Sequence, residues 1–144
     1  NIIRNHSNQN YVILKIPSIY GADSIKKNNF GINGFINFAK KNKSIDLKNS
    51  GLNIRNHLYM YDFLNILNKI LKYNLCGTHI LPFGEKISFL KIANKIRRFS
   101  NMEILNKTGE NSFPKNEILK DLYIKKNFNY KVSKIDKYIK NQLK

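Results

Sequence analysis

Short apolar runs alternate with amphipathic segments along this sequence, and the alternation limits the folds that the chain can adopt. Tyr11–Ile16 is a nearly continuous apolar run that stops at Pro17, a pattern typical of a strand buried on both faces of a parallel sheet. Ile32–Lys41 then carries apolar residues at helical spacing, and Ser44–Leu47 is a brief second strand. Alternating strands and helices build a sheet with helices on its faces. The sequence therefore predicts an α/β fold.

The same two periodicities continue to the C-terminus. The further predicted strands are Gly77–Phe83 and Met102–Leu105, and the further predicted helices are Phe63–Leu71, a helix capped by Ser88, Glu117–Lys125 and Val132–Leu143. Turns and loops are predicted at Ser18–Asp23, Lys26–Asn29, Lys48–Gly51 and Lys107–Asn116.

The most informative stretch is Asn53–Asp62, where Arg55 opens an alternating strand and a helix begins on Asp62. A single cation on an apolar, aromatic strand suits an anion such as a diphosphate. The alternative is that Arg55 pairs with Asp62 or with a carbonyl at the strand end. We expect Asp62 to cap the helix or to complement its dipole from the first turn, and the ring of His57 to pack on the strand.

The charge of the chain raises a second class of function. The formal net charge is +17, which is typical of proteins that bind nucleic acid or anionic membranes. However, 22 of the 26 basic residues are lysine, spread over the whole chain, and arginine is the residue preferred for phosphate and base recognition. A solvated lysine-rich surface is favoured, and nucleic acid is an unlikely partner.

Several classes of protein are disfavoured by what the sequence lacks. No apolar run approaches the ~18 residues that a membrane helix requires. The single Cys76 excludes an internal disulfide and fits a reducing cytoplasm, and His6 and His79 have no partners at metal-ligand spacing. The chain starts at Asn1 with no visible signal peptide, so we expect a fragment or a processed product.

Three motifs in order resemble a known family. They are Val12–Gly21, a helix near Gly34–Ile36, and Arg55–Asp62, followed by the strand Gly77–Ile80. The first resembles the pattern L-R-x-x-N-x-Y-G-P and the third R-D-x-x-[YH]-V-x-D of the extended short-chain dehydrogenase/reductases. More narrowly, the chain is similar to the NAD-dependent nucleotide-sugar epimerases and dehydratases. The resemblance implies that residues 1–144 form the C-terminal part of a Rossmann-like enzyme, with the last strands of the dinucleotide fold and a small substrate-binding subdomain.

The resemblance also implies what the chain does not carry. The family's Gly-rich dinucleotide loop and its catalytic Tyr-x-x-x-Lys are not present, and Gly31–Gly34 is no substitute because no buried strand feeds it. We therefore expect no catalytic residues here. NAD or NADP is expected in the full-length enzyme, and no cofactor is expected to bind to this chain alone. The expected partners are the missing N-terminal half and a nucleotide-diphosphate sugar. The complete enzyme is expected to form a homodimer.

The resemblance implies a binding role for five residues of this chain. Arg55 matches an arginine that commonly contacts the substrate's diphosphate, and its planar fork suits phosphate oxygens. Ser18 stands where the family often has an asparagine near the substrate phosphates or the nicotinamide, so Pro17 and Ser18 are also candidates for the cofactor. Tyr20 and Gly21 match the Y-G turn and are candidate substrate contacts, with a packed aromatic beside a loop glycine as the alternative.

Three hypotheses remain open on the sequence. The first is the substrate-binding portion of a nucleotide-sugar epimerase, dehydratase or reductase. The second is a lysine-rich nucleic-acid-binding module, whose affinity would fall steeply with salt. The third is a degenerate remnant that binds no ligand.

Overall fold

A computed structural model describes residues 11–21, 31–81, 84–106, 127–128 and 130–144. Its strands are β1 (Val12–Lys15), β2 (Ser18–Tyr20), β3 (Ile45–Leu47), β4 (Ile54–Tyr59), β5 (Gly77–Ile80), β6 (Glu85–Ser88) and β7 (Ile104–Asn106). Its helices are α1 (Gly31–Lys40), α2 (Met60–Lys72), α3 (Phe89–Arg97) and α4 (Ile135–Leu143), with a 3₁₀ turn at Lys48–Gly51. The architecture is mixed α/β, as the sequence predicts.

The described strands form three small sheets. β1 pairs with β5 and β3 pairs with β7, both in parallel. The third sheet has the order β2-β4-β6, in which β4 is parallel to β2 and antiparallel to β6. β4 is the central strand of this sheet, and apolar side chains pack against both of its faces.

Two apolar clusters lie on opposite faces of β4. One is built from α1, α3, α4 and β3 and includes Tyr20 and Ile87, with Tyr59 packed against it. The other joins Leu58 of β4 to Ile66 and Ile70 of α2. Neighbouring residues of a strand point to opposite faces, so Leu58 lies in the second cluster and Tyr59 packs against the first.

Most predicted elements are confirmed with shifts of one to three residues at their ends. Ser88 is the N-cap of α3, and its Oγ accepts a hydrogen bond from the backbone N–H of Lys91 at 3.3 Å. The predicted loops Lys26–Asn29 and Lys107–Asn116 and the predicted helix Glu117–Lys125 lie outside the described residues.

Three local predictions are wrong. Ser18–Tyr20 is a strand and not a turn, because it pairs with β4. The strand β6 was not predicted, since its sequence Glu85–Ser88 carries no clear alternation but pairs with β4. The helix α2 begins at Met60, with Tyr59 as its N-cap, so the second of the two positions predicted for Asp62 is confirmed and the residue lies in the first turn. Finally, β1 is only half buried and ends in exposed residues, because among the described residues only β5 pairs with it.

Candidate functional site

One face of the β2-β4-β6 sheet collects most of the predicted site. Parallel pairing sets Ser18 beside His57 and Tyr20 beside Tyr59. Residues two apart on a strand share a face, so Arg55, two residues before His57, lies on this same face. The sheet thus makes Arg55 and Ser18 diagonal neighbours, although 37 positions separate them in the sequence.

Arg55 is partly buried, and its charge acts on the neighbouring imidazole. His57 is 2% exposed, and its ring meets that of Phe89 edge-on at 5.6 Å between centroids. Burial, with a smaller effect of the Arg55 guanidinium, lowers the pKa of His57 to about 4. The packed ring expected at His57 is therefore confirmed, and near neutral pH the ring carries no charge. Arg55 supplies the positive charge of this pair.

Ser18 and Pro17 stand at the start of β2. Ser18 is exposed and Pro17 is buried. The hydroxyl of Ser18 is the reachable polar group, whereas Pro17 offers neither an N–H donor nor an accessible surface. Their roles toward a substrate or a cofactor stay predictions.

Tyr20 and Gly21 lie deeper, at the carboxyl end of β2. Tyr20 is 1% exposed, and its hydroxyl donates to the carbonyl of Ser133 at 3.4 Å. Gly21 has a φ of +91°, and its N–H donates to Oδ1 of Asn33 at 3.1 Å. A Cβ at Gly21 would lie 2.3 Å from the ring of Tyr59, so only glycine fits. These contacts give both residues a structural role, and substrate contact stays a prediction.

Asp62 ties the C-terminal segment to this site. Its carboxylate is buried and accepts hydrogen bonds from the N–H of Ser133 at 2.9 Å and from the Ser133 Oγ at 3.0 Å. Burial, and then the contact with Asp62, raise the pKa of the Tyr130 hydroxyl well above its usual range. The sequence predicted a structural role for Asp62 but not these partners, because 71 positions separate Ser133 from Asp62.

Two titratable rings on this face, those of Tyr20 and His57, have pKa values far from neutral. Burial, followed by the nearby carboxylates of Asp62 and Glu85, raises the pKa of Tyr20 well above its usual value, so its hydroxyl stays protonated. A tyrosine or histidine acting as a base needs a pKa closer to the working pH than Tyr20 or His57 has. Among the described residues no group of three or more His, Cys, Asp or Glu side chains is placed to hold a metal ion.

The described residues fit a dinucleotide poorly. Gly31 and Gly34 both lie within α1, so this glycine pair forms no phosphate-binding loop between a strand and a helix. Of the two predicted cofactor contacts, Ser18 is exposed and Pro17 is buried. No step that involves NAD is therefore assigned to the residues of this chain.

Basic residues line a groove at the C-terminal ends of α1, α3 and α4, and the helix dipoles explain their presence there. Arg97 and Arg98 line it together with Lys40 and Lys144. The helices α1, α3 and α4 all end in this region, and cations stabilise helix C-termini. The cluster therefore gives no separate support to a nucleic-acid site, and the absence of a nucleic-acid partner stays a prediction.

No protein-family model and no curated protein sequence matches this chain. Solved structures do match it. The UDP-glucose 4-epimerase of Thermus thermophilus in complex with NAD is 14% identical, with a TM-score of 0.77 over 99% of this chain. The Thermotoga maritima UDP-glucose 4-epimerase with UDP-glucose is 13% identical, with a TM-score of 0.78 over 99%. The dTDP-glucose 4,6-dehydratase of Bacillus anthracis in complex with NAD is 13% identical, with a TM-score of 0.73 over 92%.

The chain has the fold of the nucleotide-sugar epimerases and dehydratases. The resemblance seen in the sequence is thereby confirmed at the level of the fold, which is Rossmann-like α/β. The chain covers 47%, 47% and 43% of the three solved chains, so it spans about half the length of these epimerases and dehydratases.

Within this epimerase and dehydratase fold, several residues near the site escaped the sequence analysis. Glu85 accepts the first helical N–H of α4, from Ile135, at 3.0 Å. Tyr138 packs against both Tyr20 and Tyr59. A buried polar group needs a hydrogen-bond partner, but this rule does not tell from the sequence which residue the partner is.

No helix among the described residues is both long and apolar enough to cross a membrane.

Proposed function

We propose that this chain is the C-terminal, substrate-binding portion of an NAD(P)-dependent nucleotide-sugar epimerase, dehydratase or reductase. A missing N-terminal half of the same enzyme binds the cofactor and supplies the catalytic Tyr-x-x-x-Lys. The observation that supports this most directly is the position of Arg55, partly buried beside Ser18 on one face of β4, within a fold shared with such enzymes.

In this proposal Arg55 binds the diphosphate of the sugar nucleotide. A guanidinium donates two parallel hydrogen bonds to phosphate oxygens, and partial burial strengthens them because water screens the charge less. His57 contributes an uncharged wall, and the hydroxyl of Ser18 is a second donor. Fixing the nucleotide end holds the sugar against the reacting groups of the other half, which lowers the entropic cost of the reaction.

The direct test is binding of UDP-glucose and dTDP-glucose by calorimetry. We expect Arg55→Ala to weaken binding about 10- to 100-fold, as for loss of a charge-assisted contact of ~1.5–3 kcal/mol, and Arg55→Lys to restore only part of it. Arg98→Ala is the matched control, because it removes the same charge at the exposed end of α3. Equal losses in the two alanine variants would show a nonspecific charge effect and contradict the proposal.

A second test needs no protein. The coding sequence upstream of Asn1 should continue in frame and contain a Tyr-x-x-x-Lys and, further upstream, a Gly-rich loop. A stop codon directly upstream would count heavily against the proposal. A homodimer of the complete enzyme, and its place in the reducing cytoplasm inferred from the single Cys76, are further predictions of this model.

A further inference from the structure

A second concave site opens at the carboxyl ends of β2 and β4, beside α4. The cavity has a volume of about 300 Å³ and is lined by Tyr20, Tyr59, Ser133, Lys134, Lys137, Tyr138 and Asn141. The carboxyl ends of parallel strands are where α/β proteins commonly bind ligands. Arg55 does not line the cavity and lies four residues before Tyr59, roughly 13 Å away by the rise of a strand, although Tyr20 is both a cavity residue and a predicted substrate contact.

Aromatic rings form a fixed wall of this cavity. Tyr20, Tyr59 and Tyr138 contact one another with centroid distances of 5.3 to 5.7 Å. Two hydroxyls are anchored, since Tyr138 donates to Oδ1 of Asn33 at 3.3 Å and Tyr20 donates to the Ser133 carbonyl. A wall of anchored tyrosines offers flat apolar surface with polar edges, which suits a sugar ring or a nucleobase.

Two lysines give the opposite side a positive charge. Lys134 and Lys137 are three residues apart at the start of α4 and therefore lie on one side of it. Asp136 is turned away and pairs with Lys95 of α3. Among the residues that the structure describes, no carboxylate forms an ion pair with Lys134 or Lys137.

The carboxylates behind the tyrosine wall are already engaged. Asp62 accepts two hydrogen bonds from Ser133, and Glu85 accepts the N–H of Ile135. These contacts hold the start of α4 against the sheet. The positive charge at the cavity comes from Lys134 and Lys137.

We propose that this tyrosine-lined cavity binds a phosphate monoester that carries a single sugar or base ring. The ring stacks on the half-buried Tyr59 and Tyr138, behind which Tyr20 is buried, and Lys134 and Lys137 bind the phosphate. A volume of about 300 Å³ is at the lower end of small-molecule sites, so the cavity takes a ring with one phosphate and not an entire nucleotide-diphosphate sugar.

Calorimetry on the 144-residue chain tests this with four probes: glucose 1-phosphate, uridine monophosphate, inorganic phosphate and glucose. We expect one of the two ring phosphates to bind more tightly than both inorganic phosphate and glucose, and the better one identifies the ring. The double variant Lys134→Gln, Lys137→Gln should weaken that binding roughly tenfold or more. Lys140→Gln is the control, because it removes an exposed charge from the same helix but does not line the cavity.

Three results would overturn the proposal. They are no binding of either ring phosphate at millimolar concentration, equally tight binding of inorganic phosphate, and an equal loss of affinity in Lys140→Gln. Arg55→Ala should leave binding of the ring phosphate unchanged while it weakens binding of sugar nucleotides. The two proposals can therefore fail independently.

Discussion

Replacing His57 by phenylalanine should remove one component of the chain's response to acid. His57 is buried against Phe89, and its pKa falls from the usual 6.5 to about 4 on folding. The unfolded chain therefore binds more protons than the folded chain between pH 6.5 and 4. By linkage, this contribution to the free energy of unfolding is complete above about pH 6.5 and is lost progressively as the pH falls toward 4.

The size of the effect follows from the shift. Each pKa unit corresponds to ~1.4 kcal/mol, so the full loss is on the order of 3 kcal/mol, and most of it has occurred by about pH 4.5. Glu85 is the register partner of His57 and binds the N–H of Ile135, but burial and then Arg55 determine the pKa of His57. Phenylalanine fills a similar volume and cannot take up a proton.

Urea unfolding of the wild type and of His57→Phe, followed by circular dichroism at several pH values, measures this difference. Between pH 7 and pH 4.5 the variant should gain about 2–3 kcal/mol relative to the wild type. His57→Gln is the control for packing, because it should lower stability at pH 7 but show the same flattened pH response as the phenylalanine variant. Parallel curves for the wild type and His57→Phe would refute the reasoning.

Three further substitutions probe single contacts by urea unfolding at pH 7. Gly84→Ala would place a Cβ 2.3 Å from the carbonyl oxygen of His57, so we expect a loss of about 1–3 kcal/mol in the free energy of unfolding. Ser88→Ala removes the N-cap of α3 and should cost about 1 kcal/mol, whereas Ser88→Asp should retain most of the stability. Asp62→Asn replaces one of two acceptor oxygens facing Ser133 with a donor and should cost about 1–3 kcal/mol; an unchanged midpoint would contradict the buried contact.

The sequence predicted the parts of the fold that local patterns determine. The stripe of apolar residues in α2 and the serine cap of α3 follow from helical spacing and capping chemistry, and both are found. β2 and β6 were missed because three or four residues carry too little periodicity, and their strand conformation depends on pairing with β4. Pairing partners distant in sequence are not visible in a local window.

The same contrast between local patterns and distant contacts holds for the candidate site. Arg55, Ser18 and His57 were singled out because they lie in recognisable motifs, and the sheet register explains why they share a face. The contacts of Asp62 with Ser133 and of Glu85 with Ile135 were not found, since both partners come from the C-terminal segment. Sequence patterns named the candidates, whereas tertiary contacts decided which charges remain available.

The protonation of this face bears directly on what it can do. A charged His57 beside Arg55 would add a second buried cation, and burial opposes that state strongly enough to keep the imidazole neutral near pH 7. Tyr20 remains protonated for the corresponding reason, because a phenolate would be buried near Asp62 and Glu85. Neither group exchanges protons readily between about pH 5 and pH 9. If an anion binds at Arg55, as proposed, the protonation states of His57 and Tyr20 would not change its electrostatic surroundings over this pH range, and neither group would supply a proton to the reaction.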